Sequence, residues 1–228
     1  MKTGCVLFDE MTDGIPEKMV SQVYGEYATG KTTLCLQMCV RASRDGKKSF
    51  FIDTEGGFSP ERLAQMGGET ALKNVMVFEV RDFSEQTERV IGLEGMMSGK
   101  VGFVCVDSVV SLFRLEASDY DTRLDLSRKM GRQLLVLSRI ARTNNIPVLV
   151  TNQVYEKMPS DSNQKYISKG ISRESVMPLG GDVLKYWCKM IVKLEKVEKA
   201  VRRATLIRHS YKEEEVSCLM SITSKGIL

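Results

Sequence analysis

The sequence predicts an α/β fold, with a mainly parallel central sheet flanked by helices and antiparallel strands at its C-terminal edge. Three observations predict it. Between residues 19 and 151, short apolar runs alternate with helical patterns, the order that builds right-handed βαβ units. Residues 101–106 (VGFVCV) are apolar without alternation, as befits a strand buried on both faces. Beyond residue 188, three β-like runs follow one another with no helix between them.

Each element has its own warrant. Residues 19–24 (MVSQVY) form the first predicted strand, and residues 32–42 have helical length without Gly or Pro. Residues 48–53 (KSFFID) follow a Gly-Lys turn and form a second strand. Ser59-Pro60-Glu61 starts a helix, with Ser at the cap and Pro in the first turn. Residues 75–80 form a strand, and 84–97 a helix with Ser84 as its expected cap. Residues 124–144 carry Leu126, Met130, Leu134, Leu137 and Ala141 at three- and four-residue steps, which gives one apolar helical face. Residues 147–151 (PVLVT) form the next strand. Residues 154–182 show little periodicity and predict a long loop of the kind that usually carries function. Runs at 188–194, 204–208 and 216–222 complete the sheet.

Composition narrows the function. A chain of 228 residues, 43% apolar and 27% charged, suits one domain spanning 1–228 with one large core. No stretch approaches the roughly 20 apolar residues of a membrane helix, and acidic residues by Asp9 rule out a secretory signal. A cytoplasmic protein without a membrane partner is expected. The formal net charge of +4 permits a nucleic-acid partner without requiring one. The six cysteines contain no Cys-x-x-Cys pair and His209 is the lone histidine, so neither a zinc site nor a Ser-His hydrolase centred on Ser108 is expected.

The sharpest chemical signal is Gly25-Glu26-Tyr27-Ala28-Thr29-Gly30-Lys31-Thr32-Thr33, which satisfies G-x-x-x-x-G-K-[ST] between a predicted strand and a predicted helix. Such a loop presents backbone N–H groups and a positive helix end to the phosphates of ATP. Lys31 would reach the β- and γ-phosphate oxygens, and the Thr32 hydroxyl would ligate Mg²⁺. Asp107 ends VGFVCV and fits the strand-end carboxylate of the Mg²⁺ shell. Glu55, just past FFIDT, is the candidate general base or water-positioning group, and Gln153, past PVLVT, is placed to sense the γ-phosphate.

GEYATGKTT, FIDTEGGFSPERL, VCVDS, NIPVLVTNQV and PLGGDVLKYWCK occur in that order. Together they resemble the RecA/RadA recombinase family over roughly residues 15–225, and within it the archaeal RadB branch. The resemblance implies a RecA-like P-loop NTPase core acting in DNA repair and homologous recombination. It assigns Glu55 as catalytic glutamate, Asp107 as Walker-B aspartate and Gln153 as the link between γ-phosphate and a DNA-binding loop. It makes residues 111–123 and 154–178 the two DNA-binding loops. With 24 residues before Gly25 and no Phe-x-x-Ala motif, the chain is expected to lack the N-terminal helical DNA-binding domain and the polymerisation element. That pattern implies an accessory protein with weak ATPase activity. It would modulate a RadA recombinase or a Holliday-junction resolvase, act on single-stranded or branched DNA, and leave a homo-oligomer open. Two alternatives stand beside it, a minimal strand-exchange recombinase and a RecA-fold signalling ATPase.

Basic and aromatic residues are the candidates for DNA contact. The two loops offer Arg114, Arg123, Lys165, Lys169 and Arg173, with Phe113, Tyr120, Tyr155 and Tyr166 as stacking candidates. Residues 193–212 are denser, with seven Lys or Arg against Glu195 and Glu198, and Arg202 and Arg203 are the expected phosphate contacts there.

Overall fold

The computed structural model describes residues 1–154 and 181–228. A short helix α1 (Val6–Thr12) precedes strand β1 (Val20–Gly25). Then come α2 (Lys31–Arg44), β2 (Lys48–Asp53), α3 (Pro60–Lys73), β3 (Val75–Glu79), α4 (Phe83–Met96) and β4 (Val101–Asp107). Helices α5 (Ser111–Glu116) and α6 (Tyr120–Asn144) lead to β5 (Val148–Gln153). After α7 (Gly181–Trp187), the chain closes with β6 (Cys188–Lys196), β7 (Val201–Arg208), β8 (Ser217–Thr223) and β9 (Gly226–Ile227).

These strands make one sheet in the order β3-β2-β4-β5-β1-β6-β7-β8-β9. From β3 to β6 every pair is parallel, and β7, β8 and β9 add antiparallel. The antiparallel edge therefore begins one strand later than expected, because β6 continues the parallel register along β1.

Side chains leave each strand alternately, so neighbouring residues feed two different cores. Phe50, Ile52, Val104 and Val106 pack on one face with Phe83, Leu134 and Leu137. Phe51, Phe103 and Cys105 pack on the other with Leu34, Met38 and Leu63. This double burial explains the unbroken apolar runs of β2 and β4. Cys5, Cys35, Cys39, Cys105 and Cys188 are buried free thiols, and Cys218 is half-buried.

Helix starts follow capping chemistry. Ser59 Oγ accepts the Arg62 N–H at 3.0 Å, as its position predicted. Helix α4 is capped by Asp82, whose carboxylate accepts the Glu85 N–H at 2.8 Å, so the expected Ser84 cap is corrected. Helix α6 starts before residue 124 because Asp119 caps it, accepting the Thr122 N–H at 2.9 Å. Helices α1, α5 and α7 had no expectation; each is only six or seven residues long, too short to show a helical period.

Candidate functional site

The carboxyl ends of β1, β2, β4 and β5 meet beside the N-terminus of α2, and the predicted site residues converge there. Gly25 ends β1, and a Cβ added there would run into the Leu194 carbonyl of β6 and lie 2.9 Å from Thr29 Oγ1. Only glycine lets the loop leave the sheet so close to its neighbour. Gly30, the residue before α2, has φ +102, a left-handed conformation that also suits glycine. Between them Thr29 Oγ1 donates to the Glu26 carbonyl at 2.9 Å and tightens the turn. Glu26, Tyr27 and Ala28 are exposed on the outside of the loop.

Lys31 is buried and folds back along this loop. Its Nζ donates to the Gly25 carbonyl at 3.0 Å and to the Glu26 carbonyl at 2.7 Å. Burial pulls its ammonium below the usual lysine range, and the Asp107 and Glu55 carboxylates nearby oppose that shift. Asp107, 4% exposed, shows the mirror effect. Burial raises its carboxyl, while hydroxyl donors on Thr151 and Thr32 partly restore the charged form. Lys31, Thr32 and Asp107 thus surround one small polar volume.

Glu55 lies at its open side. Ser111 Oγ from α5 and Gln153 Nε2 from the end of β5 both donate to its carboxylate. The two predicted catalytic residues are therefore in direct contact. Three supporting residues escaped the sequence. Asp53, next to Asp107 in the β2–β4 register, accepts the N–H groups of Glu55, Gly57 and Phe58 at 2.9–3.2 Å and shapes the loop that carries Glu55. Thr54 Oγ1 accepts the Ser108 N–H and donates to the Ser108 carbonyl, each at 2.8 Å, tying that loop to the end of β4. Thr151 donates directly to Asp107. Two of these repeat the signal of Asp107, a polar residue near the carboxyl end of a buried strand, and that signal was available for Asp53 and Thr151.

The expected DNA contacts separate. Arg114 and Arg123 are exposed and border a cleft of about 430 Å³ with Phe113, Met130 and Val183. Phe113 does not offer a free ring; it is buried edge-on against Phe83 at 5.8 Å. Tyr120 is exposed. Arg203 is exposed on β7, but the expectation for Arg202 is corrected. That side chain is 6% exposed, and its guanidinium donates to the Ala28 carbonyl of the phosphate loop. Strand alternation sends one arginine out and its neighbour in. Tyr155, Lys165, Tyr166, Lys169 and Arg173 lie outside the described residues. Among the described residues no helix is long and apolar enough to cross a membrane.

Comparison with known proteins gives the family. The family model described as Rad51 matches residues 1–228. The DNA repair and recombination protein RadB of Methanococcoides burtonii is 34% identical over 229 residues, covering 99% of this chain and 96% of its own. The RadB of Thermococcus sibiricus is 38% identical over 234 residues, covering all of this chain and 94% of its own. A crystal structure of the RadB recombinase superposes with a TM-score of 0.80 at 35% identity, covering 99% of this chain and 97% of that one. Matched from end to end by the family model, and by RadB proteins across nearly their whole lengths, the chain belongs to the Rad51 family of DNA repair and recombination proteins.

Proposed function

We propose that this chain binds Mg²⁺-ATP at the β1–α2 loop and hydrolyses it slowly. It binds single-stranded or branched DNA and serves as a cytoplasmic accessory to recombination rather than exchanging strands itself. The observation that carries the proposal is the meeting of Lys31, Thr32, Asp107 and Glu55 at the carboxyl ends of neighbouring strands. In parallel α/β sheets that is where ligands bind.

The residues fit the groups they would hold. Lys31 is a buried cation resting on loop carbonyls, and its donors are free to turn to phosphate oxygens. Hydroxyls on Thr151 and Thr32 donate to the buried Asp107 carboxylate, and burial disfavours its charge, which a cation would restore, so Thr32 and Asp107 would hold the metal. Bound Mg²⁺ would neutralise developing phosphate charge. Glu55 would orient the attacking water and take its proton.

The same contacts argue for slow turnover. With Ser111 and Gln153 donating to it, the Glu55 carboxylate is already engaged, and those contacts must be exchanged before it can take a water. Gln153 would release it when a γ-phosphate offers its amide another acceptor. The exposed Arg114, Arg123 and Arg203 would supply the DNA contacts, with Tyr155, Lys165, Lys169 and Arg173 of the adjoining segment. A RadA-type recombinase and a Holliday-junction resolvase are the proposed protein partners, on family resemblance.

The test measures nucleotide affinity, phosphate release and DNA affinity for the parent, Lys31→Ala and Glu55→Gln. Lys31→Ala loses nucleotide binding, whereas Glu55→Gln retains it and stops releasing phosphate. Rapid DNA-stimulated hydrolysis by the parent would refute the accessory role, as would long filaments on single-stranded DNA under the electron microscope.

A further inference from the structure

Arg202 makes five hydrogen bonds, all to main-chain carbonyls. Nε and Nη2 donate to Ala28 O at 3.2 and 3.0 Å. Nη1 donates to Glu198 O at 2.9 Å, Lys199 O at 3.4 Å and Val201 O at 3.0 Å. None of the ion pairs among the described residues involves it. A guanidinium this buried gains its stability from carbonyl dipoles rather than from an ion pair.

The residue it grips is unusual. Ala28 has φ +60, a left-handed conformation that a Cβ disfavours, within the exposed stretch of the phosphate loop. Such a residue persists only where its surroundings hold it. The Nε and Nη2 donors form a fork whose two prongs meet on one oxygen and fix the peptide plane. The peptide following Ala28 is planar and trans, so fixing its carbonyl also fixes the Thr29 N–H, pointing away from Arg202. The remaining bonds anchor the fork to the turn between β6 and β7 and the start of β7, so the loop is braced against the β6–β7 hairpin.

We infer that Arg202 is a positioning residue for nucleotide: it holds Ala28 in its left-handed conformation, keeps the loop amides set for phosphate, and adds positive potential behind them. The inference rests on the P-loop reading above. It also accounts for a buried arginine in a basic hairpin whose turn is exposed.

Three variants test it: Arg202→Ala, Arg202→Lys and, as control, Lys31→Ala. The readouts are the affinity of a fluorescent Mg²⁺-ADP analogue, hydrogen exchange at residues 26–30 and the melting temperature without nucleotide. Arg202→Ala is expected to weaken nucleotide binding by about tenfold or more, the effect of losing a hydrogen bond to a charged group. Exchange at residues 26–30 accelerates selectively while the strands stay protected. Arg202→Lys keeps the charge and the packing of the stem but lacks the fork, so it restores affinity only in part. If Arg202→Ala does not fold, Arg202→Lys carries the measurement. Parental affinity together with parental exchange at 26–30, while Lys31→Ala loses nucleotide, overturns the role of Arg202 alone. Parental binding by Lys31→Ala overturns the P-loop reading and this inference with it.

Discussion

Replacing Lys31 by Met separates stability from function, because Met keeps most of the volume and removes the charge. Burial holds the Lys31 ammonium below its ordinary 10.5, so in the fold the charged form is penalised. The penalty is complete at neutral pH. It fades only as pH rises from the depressed folded value toward 10.5, where the unfolded lysine also loses its proton. Desolvating an ion costs several kcal/mol, and the two bonds to Gly25 O and Glu26 O return about 1.5–3 kcal/mol each. These nearly cancel, so without nucleotide the variant melts within about 5 °C of the parent, at roughly 2–4 °C per kcal/mol for a chain of this size. Mg²⁺-ATP at a hundred times its Kd adds about 2.7 kcal/mol to the parent, a rise of roughly 5–11 °C. The variant gains nothing. Scanning fluorimetry with and without Mg²⁺-ATP reads both quantities. A variant that collapses without nucleotide would show the desolvation reasoning to be wrong, and one that gains as much from Mg²⁺-ATP as the parent would remove Lys31 from the site.

Other outcomes follow from the same geometry. Glu55→Gln lowers phosphate release by about a hundredfold or more, the usual weight of a general base, with nucleotide affinity kept; parental turnover would exclude that role. Burial raises the Asp107 carboxyl above its ordinary 3.8, so its charged form costs stability at neutral pH and the cost vanishes as pH falls through the raised value toward 3.8. Asp107→Asn therefore melts higher than the parent at pH 7 without Mg²⁺, the gap closes in acid near about pH 4, and Mg²⁺-dependence of nucleotide affinity is lost; pH-resolved melting curves check the sign. Arg203→Ala reduces the slope of log K for DNA against log salt by about one, whereas Arg202→Ala leaves the slope unchanged; equal slopes for parent and Arg203→Ala would remove Arg203 from the interface.

Much of the site was legible because it is local. The proposed phosphate loop is a run of nine residues between a strand and a helix, and the positions of its glycines, lysine and threonine are fixed by that run. Asp107, Glu55 and Gln153 were found because each follows an apolar strand, and parallel strands bring their carboxyl ends together. Composition showed that a core would form, and continuous apolar runs showed which strands would lie inside it. Short elements were not legible: α1, α5 and α7 are too brief to display a period.

What the sequence determined alone is therefore the α/β class, together with the β1–α2 loop and the strand-end positions of Asp107 and Glu55, since each depends on neighbours along the chain. The direction of Arg202 was decided only in three dimensions. Arg202 and Arg203 are chemically identical neighbours, and period two must send them to opposite faces. Which face is inside depends on the pairing of β7 with β6 and β8, and on the phosphate loop lying 174 residues away in the chain. Contacts across such separations are set by register and packing of the whole sheet, and no short window of sequence contains them.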